Sequence, residues 1–109
     1  MDTQKVEIKV GPFSPDGTFL GEFWRFTGED VASWTEHISD PQDNWTVTYT
    51  LYKCPGGYRL HVYKRSEWYG VGSRADLYPS ACYEDLAAVR EDFPDVLAAM
   101  NYPDVVDID

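Results

Sequence analysis

The stretch WTVTYTLYKCPGGYRLHVYKR, residues 45–65, constrains the fold more than any other part of the chain. Two runs of alternating side chains flank Pro55-Gly56-Gly57. A period of two belongs to an extended strand with one dry and one wet face. Pro followed by Gly suits a type II turn and Gly-Gly suits the primed turns, so the tip turns the chain back on itself. Either register puts Val47, Tyr49 and Leu51 on one face with Leu60 and Val62. The other face carries Thr46, Thr48, Thr50 and Tyr52 beside Arg59, His61, Tyr63 and Arg65. This hairpin reads as dry on one side and as wet, basic and aromatic on the other, with an exposed turn.

The remaining elements are read around it. Val6, Ile8 and Val10 alternate with Glu7 and Lys9, a half-buried strand that GPFSPDG ends. TFLGEFWRF is apolar on both faces, with Phe19 and Phe23 on one and Leu20, Trp24 and Phe26 on the other. That suits an inner strand, with Gly21 marking a bulge or a close backbone approach. TGEDVASWTEHISDPQDN reads as a polar connection holding at most one helical turn over 29–38, stopped by Asp40-Pro41. SEWYGVGSRADLYP reads as one or two short strands around a glycine turn. From Cys82 the period changes: Cys82, Leu86, Val89, Phe93, Val96, Leu97 and Met100 form one apolar helical stripe. Pro94 interrupts it, which predicts two short helices or a kink. The expected fold is one α+β domain over 1–109, a curled antiparallel sheet covered on one face by a C-terminal helical segment.

Charge narrows the function classes. The 109-residue chain has a net charge of −10. Residues 1–44 hold nine acids against three bases, 45–74 five bases against Glu67 alone, and 84–109 eight acids against Arg90. Such a body repels phosphate polyanions and anionic membranes and favours basic protein partners. No apolar run is long enough for a membrane helix, and Met1-Asp2-Thr3-Gln4 opens no signal peptide. Two well-separated cysteines suit a reducing compartment. A cytoplasmic protein is expected.

No catalytic motif emerges. His37 and His61 have no Cys or His at metal-ligand spacing, and no metal or cofactor is expected. Cys54 before Pro lacks a base and an oxyanion donor. GVGSR at 70–74 lacks a P-loop lysine and a following helix pattern. Glu29-Asp30 and Asp40/Asp43 are ordinary loop carboxylates.

The segments LYKCPGGYRLHVYKRSEW and YEDLAAVREDFPDVLAAMNYPDVVDID resemble the bacterial EXLDI family, named for an acidic-apolar motif at the extreme C-terminus. The shared features are the Tyr-Lys-turn-Gly-aromatic-x-Leu-His hairpin, the Glu-Leu-Arg-rich helix and a final Pro-x-Val-x-Asp-Ile. The family tail reads Glu-x-Leu-Asp-Ile where this chain has Val105-Val106-Asp107-Ile108-Asp109. The resemblance implies a role for the tail but no activity.

The reading is thus of a small, acidic, non-enzymatic protein that binds a protein partner. An antitoxin, immunity protein or anti-defence inhibitor fits, one masking a basic nucleic-acid-binding site without itself binding nucleic acid. Candidate partner-binding residues are Glu84, Asp85, Glu91, Asp92, Asp95, Asp104 and Asp107, with Tyr52, Arg59, His61, Tyr63 and Arg65 on the hairpin's wet face. The alternative is a small enzyme or ligand binder using that polar face, with His61, Tyr52, Tyr63 and Arg59 as its groups. The β-branched run at 104–108 is expected to lie extended, with Val106 and Ile108 as anchors.

Overall fold

The computed structural model describes residues 4–14, 16–40, 43–66, 73–78 and 82–102. Five strands and two helices follow in order: β1 (Gln4–Pro12), β2 (Glu22–Asp40), β3 (Asp43–Cys54), β4 (Gly57–Ser66), β5 (Ser73–Leu77), α1 (Leu86–Asp92) and α2 (Pro94–Met100). Each strand pairs antiparallel with the next, and β1 also pairs with β5 through Gly11↔Ala75 and Pro12↔Arg74, closing a five-stranded barrel. The expected open, curled α+β sheet is therefore corrected to a predominantly β fold, a closed barrel with two short helices on its outside.

The correction turns on β2. Residues 27–40 read as a polar connection, yet they belong to a 19-residue strand. Its first part, Glu22 to Gly28, pairs with β1, and its second, Glu29 to Asp40, pairs with β3. A bulge between Asp30 and Ala32 interrupts the second part near its start. A bulge adds one residue to one strand, so the side-chain alternation reverses across it. Trp24, Phe26 and Asp30 lie on the face of Tyr52, whereas Ala32 opposes Leu51, Trp34 opposes Tyr49 and Glu36 opposes Val47. The same parity serves opposite faces before and after Val31. One strand thereby bends from one wall of the barrel into the next.

The hairpin keeps its expected faces. Leu51 pairs with Leu60 and Tyr49 with Val62, while Thr50 pairs with His61 and Tyr52 with Arg59. Pro55 and Gly56 form the exposed tip. Neither expected turn type is present, because Gly57, after the two tip residues, carries the positive φ of 149° and Gly56 does not. At the β1–β2 tip, a Cβ on Gly21 would lie 2.1 Å from the Val10 carbonyl oxygen. The glycine there permits the close approach that its place in an apolar strand suggested.

Two helices replace the interrupted stripe. Asp85 caps α1, its carboxylate accepting from the Ala88 amide at 3.0 Å, and Pro94 opens α2, where its missing N–H costs nothing. Val89 and Leu97 bury against Val47, Leu51, Leu60 and Val62, with Tyr83 completing the cluster. The dry face of the hairpin is thus the outside of the barrel, and the helices cover part of it. Burying such side chains contributes roughly 1.5–3 kcal/mol each before ordering costs. Cys82 does not join this core as the stripe implied; it precedes the helix and is exposed. The glycine turn at 70–72 and the tail at 104–108, with Asp104 and Asp107, lie outside the described residues.

Candidate functional site

The wet face of the hairpin meets two fates. Near the turn it faces the β1–β2 ribbon. The Phe26 and Tyr52 rings meet edge-on with centroids 5.2 Å apart, the Arg59 guanidinium lies 5.2 Å from the Phe26 centroid, and Tyr63 touches Phe13. Ala75 opposes Tyr63 and Leu77 opposes His61 on the same side, and both are buried. These side chains fill the interior of the barrel. Farther along, Ser33, Thr35 and His37 stay exposed, and the Thr35 and Thr48 hydroxyls bond at 3.2 Å. Arg65 is exposed at this end, opposite Thr46.

His61 closes a seam. Its Nε2 lies 2.9 Å from the Lys9 carbonyl oxygen. A carbonyl only accepts, so Nε2 carries the proton and donates. Lys9 sits two residues before the β1–β5 pairing, so the imidazole substitutes for a ladder bond where that pairing stops. Burial pushes the His61 pKa below its ordinary value, against opposing pulls from the Lys9 bond and the Asp76 carboxylate. The folded chain therefore takes up this proton less readily than the unfolded one. The stability is complete above the unfolded pKa near 6.5 and declines as pH falls below it. Asp16 adds a second step of the same sign: the Ser14 hydroxyl and the Thr18 amide hold its pKa at about 2, so its contribution is lost only below 3.8. The imidazole NMR titration of His61 should have its midpoint below 6.5. His61→Gln, whose amide still donates, should remove the first step of the stability–pH curve. A midpoint at or above 6.5 would mean the ring is not buried as described.

Arg59 is held less completely. Its Nε is buried without a hydrogen-bond partner among the described residues. Its contact with Phe26 is a cation–π one. The adjacent Cys54 thiol is pushed up, chiefly by burial, so it is a poor nucleophile.

The acidic candidates stand elsewhere, on the helical layer. Glu84, Asp85, Glu91, Asp92 and Asp95 are all exposed. Two of them have structural duties. Asp85 is the cap, and Asp92 accepts from the Tyr83 hydroxyl at 3.1 Å, which helps burial raise that phenol to about 12. Glu91 and Asp95 project from α1 and α2, and Glu84 precedes the cap of α1, with Arg90 the one base among them. Asp85, Ala87, Ala88, Arg90 and Glu91 border a shallow, open depression on α1. The five exposed carboxylates thus lie on or just before the two helices, which pack on the Leu51–Leu60 face of the hairpin, whereas Tyr52, Arg59, His61 and Tyr63 lie on its other face.

Other surface residues escaped the sequence reading. Trp34 stacks on Tyr49 at 5.6 Å and 14°, the Tyr49 hydroxyl donates to Glu36 at 3.5 Å, and Ile38 is 40 % exposed. Their signal was an alternation of Ala32, Trp34, Glu36 and Ile38 with Ser33, Thr35, His37 and Ser39, visible once the bulge is placed. The stretch expected to form an inner strand instead leaves Leu20 and Phe23 61 % and 60 % exposed, with Phe23 edge-on to Phe19 and the Lys9 ammonium 5.6 Å from the Phe19 centroid.

Among the described residues, no group of three or more His, Cys, Asp or Glu is placed to hold a metal ion, and no helix is long and apolar enough to cross a membrane. Comparison with known proteins finds no matching family model, no matching curated protein and no matching solved structure.

Proposed function

We propose that this protein is a non-enzymatic binding protein that docks on a basic surface of a protein partner, as an antitoxin, immunity protein or anti-defence inhibitor masks a nucleic-acid-binding site. The observation that carries this is the set of exposed carboxylates at Glu84, Asp85, Glu91, Asp92 and Asp95 on a helical layer pinned to a closed barrel. Charges fixed on a rigid support steer encounter with an opposite surface and lose little entropy on binding. The EXLDI resemblance is compatible with this role and adds no activity to it.

The alternative, a small enzyme or ligand binder using His61, Tyr52, Tyr63 and Arg59, has less support. Barrel width grows with strand number, and eight strands already leave a lumen that side chains can fill. In this five-stranded barrel the four polar groups are themselves part of the filling, and His61 is engaged by the Lys9 carbonyl.

Capture from the native host with tagged protein tests the proposal. A bound partner should be released by excess heparin or duplex DNA, which compete for the same basic site. Capture by Glu84→Gln/Glu91→Gln/Asp95→Asn should fall roughly tenfold or more. A partner that resists polyanions and binds the triple variant like the wild type would exclude this function.

A further inference from the structure

We infer that the part of the outer sheet face centred on Trp34, Glu36 and Ile38 is a docking site for an arginine-bearing segment of the basic partner; the inference rests on the function proposed above. The outer face is made of Ala32, Trp34, Glu36 and Ile38 on β2, opposite Leu51, Tyr49, Val47 and Trp45 on β3. The helices seal the Leu51 and Leu60 end. Toward the β2–β3 tip the apolar surface continues, but Ile38 is 40 % exposed, and Trp34 and Trp45 are only half-buried. Tyr78, packed edge-on against Phe93, is 39 % exposed.

The chemistry of this face selects a cation. Trp34 and Glu36 are two residues apart on one side of a strand, neighbours about 7 Å apart. A planar guanidinium can stack on the indole while its N–H fork reaches the carboxylate. Glu36 has capacity to spare, since its bond from Tyr49 is long, at 3.5 Å. The face already tolerates an ammonium over an indole: Lys64 Nζ lies 5.5 Å from the Trp45 centroid. Lys64 and Arg74 share this outer face, across Val47 from Glu36, and Asp76 pairs with Arg74 at 2.8 Å. Glu91 and Asp92 add exposed carboxylates on α1, which packs on the same face. A second copy of this chain, with its net charge of −10, is the wrong occupant.

Titration of isotope-labelled protein with an oligo-arginine peptide at low salt tests the site by NMR. Shifts should centre on the Trp34 indole N–H, the Tyr49 amide and the Ile38 methyls. Trp34→Ala and Glu36→Gln should each weaken binding roughly threefold to tenfold. Glu22→Gln removes the same charge from the β1–β2 ribbon and should leave affinity unchanged. Glu36→Gln is isosteric and remains informative should Trp34→Ala loosen the sheet. Shifts centred on Glu84, Glu91 and Asp95, with Glu36→Gln neutral, would overturn this site while leaving the proposed function standing. Absence of any shift would also overturn it, and the function would then be decided by the capture experiment alone.

Discussion

Gly57→Ala should destabilise the protein by about 2–4 kcal/mol, read as a lowered urea midpoint with unchanged slope. Gly57 has φ of 149°, a conformation that residues with a Cβ rarely adopt, and that Cβ would lie 1.9 Å from the Tyr83 carbonyl oxygen. The obstacle is backbone, so no side-chain rotation relieves it. Tyr58 and Tyr83 exchange two backbone hydrogen bonds at this point, 2.8 and 2.6 Å long. Pushing Tyr83 away would break that pair and shift Asp85, the cap of α1. The neighbouring glycine supplies the control. A Cβ on Gly56 meets nothing within 4 Å, and its φ is not in the left-handed range. Gly56→Ala should be neutral or stabilise by about 0.4–1 kcal/mol through the unfolded chain. Two glycines inserted after Gly56 should likewise cost little, because the tip is solvated. Equal midpoints for Gly57→Ala and Gly56→Ala would contradict the packing behind the turn.

That contrast shows what could be read from the chain and what could not. The hairpin, its faces and the split of the helical stripe at Pro94 were legible because each depends on local periodicity. β2 was illegible because the bulge after Asp30 reverses the alternation within one strand, and a continuous window sees no period. Barrel closure was illegible for another reason. It depends on Gly11 and Pro12 meeting Ala75 and Arg74, two residue pairs far apart in sequence with no local signature. The interior role of Tyr52, Arg59, His61 and Tyr63 was hidden by their polarity, since side chains with long apolar stems or rings fill space while their polar atoms find partners. The exposed carboxylates of α1 and α2 were legible from helical spacing. Trp34, Glu36 and Ile38 were lost with β2.

The second large effect falls on the outer core and reaches the proposed function. Leu51 is fully buried, paired with Leu60 at 1 % exposure, beneath Val89 and Leu97. Leu51→Ala should cost about 2–5 kcal/mol, a lost transfer term plus a cavity that a barrel wall cannot collapse to fill. α1 and α2 have seven residues each, too short to persist alone, so they owe their order to this contact. Loss of Leu51 should therefore raise hydrogen exchange at the α1 amides before the β3–β4 ladder is affected. The carboxylates of Glu84, Glu91 and Asp95 remain in the sequence but lose their fixed positions. Partner capture should then fall even though no charge has changed, as expected if preorganisation matters as well as net charge. Unchanged stability would show that the outer sheet face is not the core of this fold. Lowered stability with undiminished capture would show that the acidic residues act as diffuse charge, and the pinned helical layer would no longer be the basis of binding.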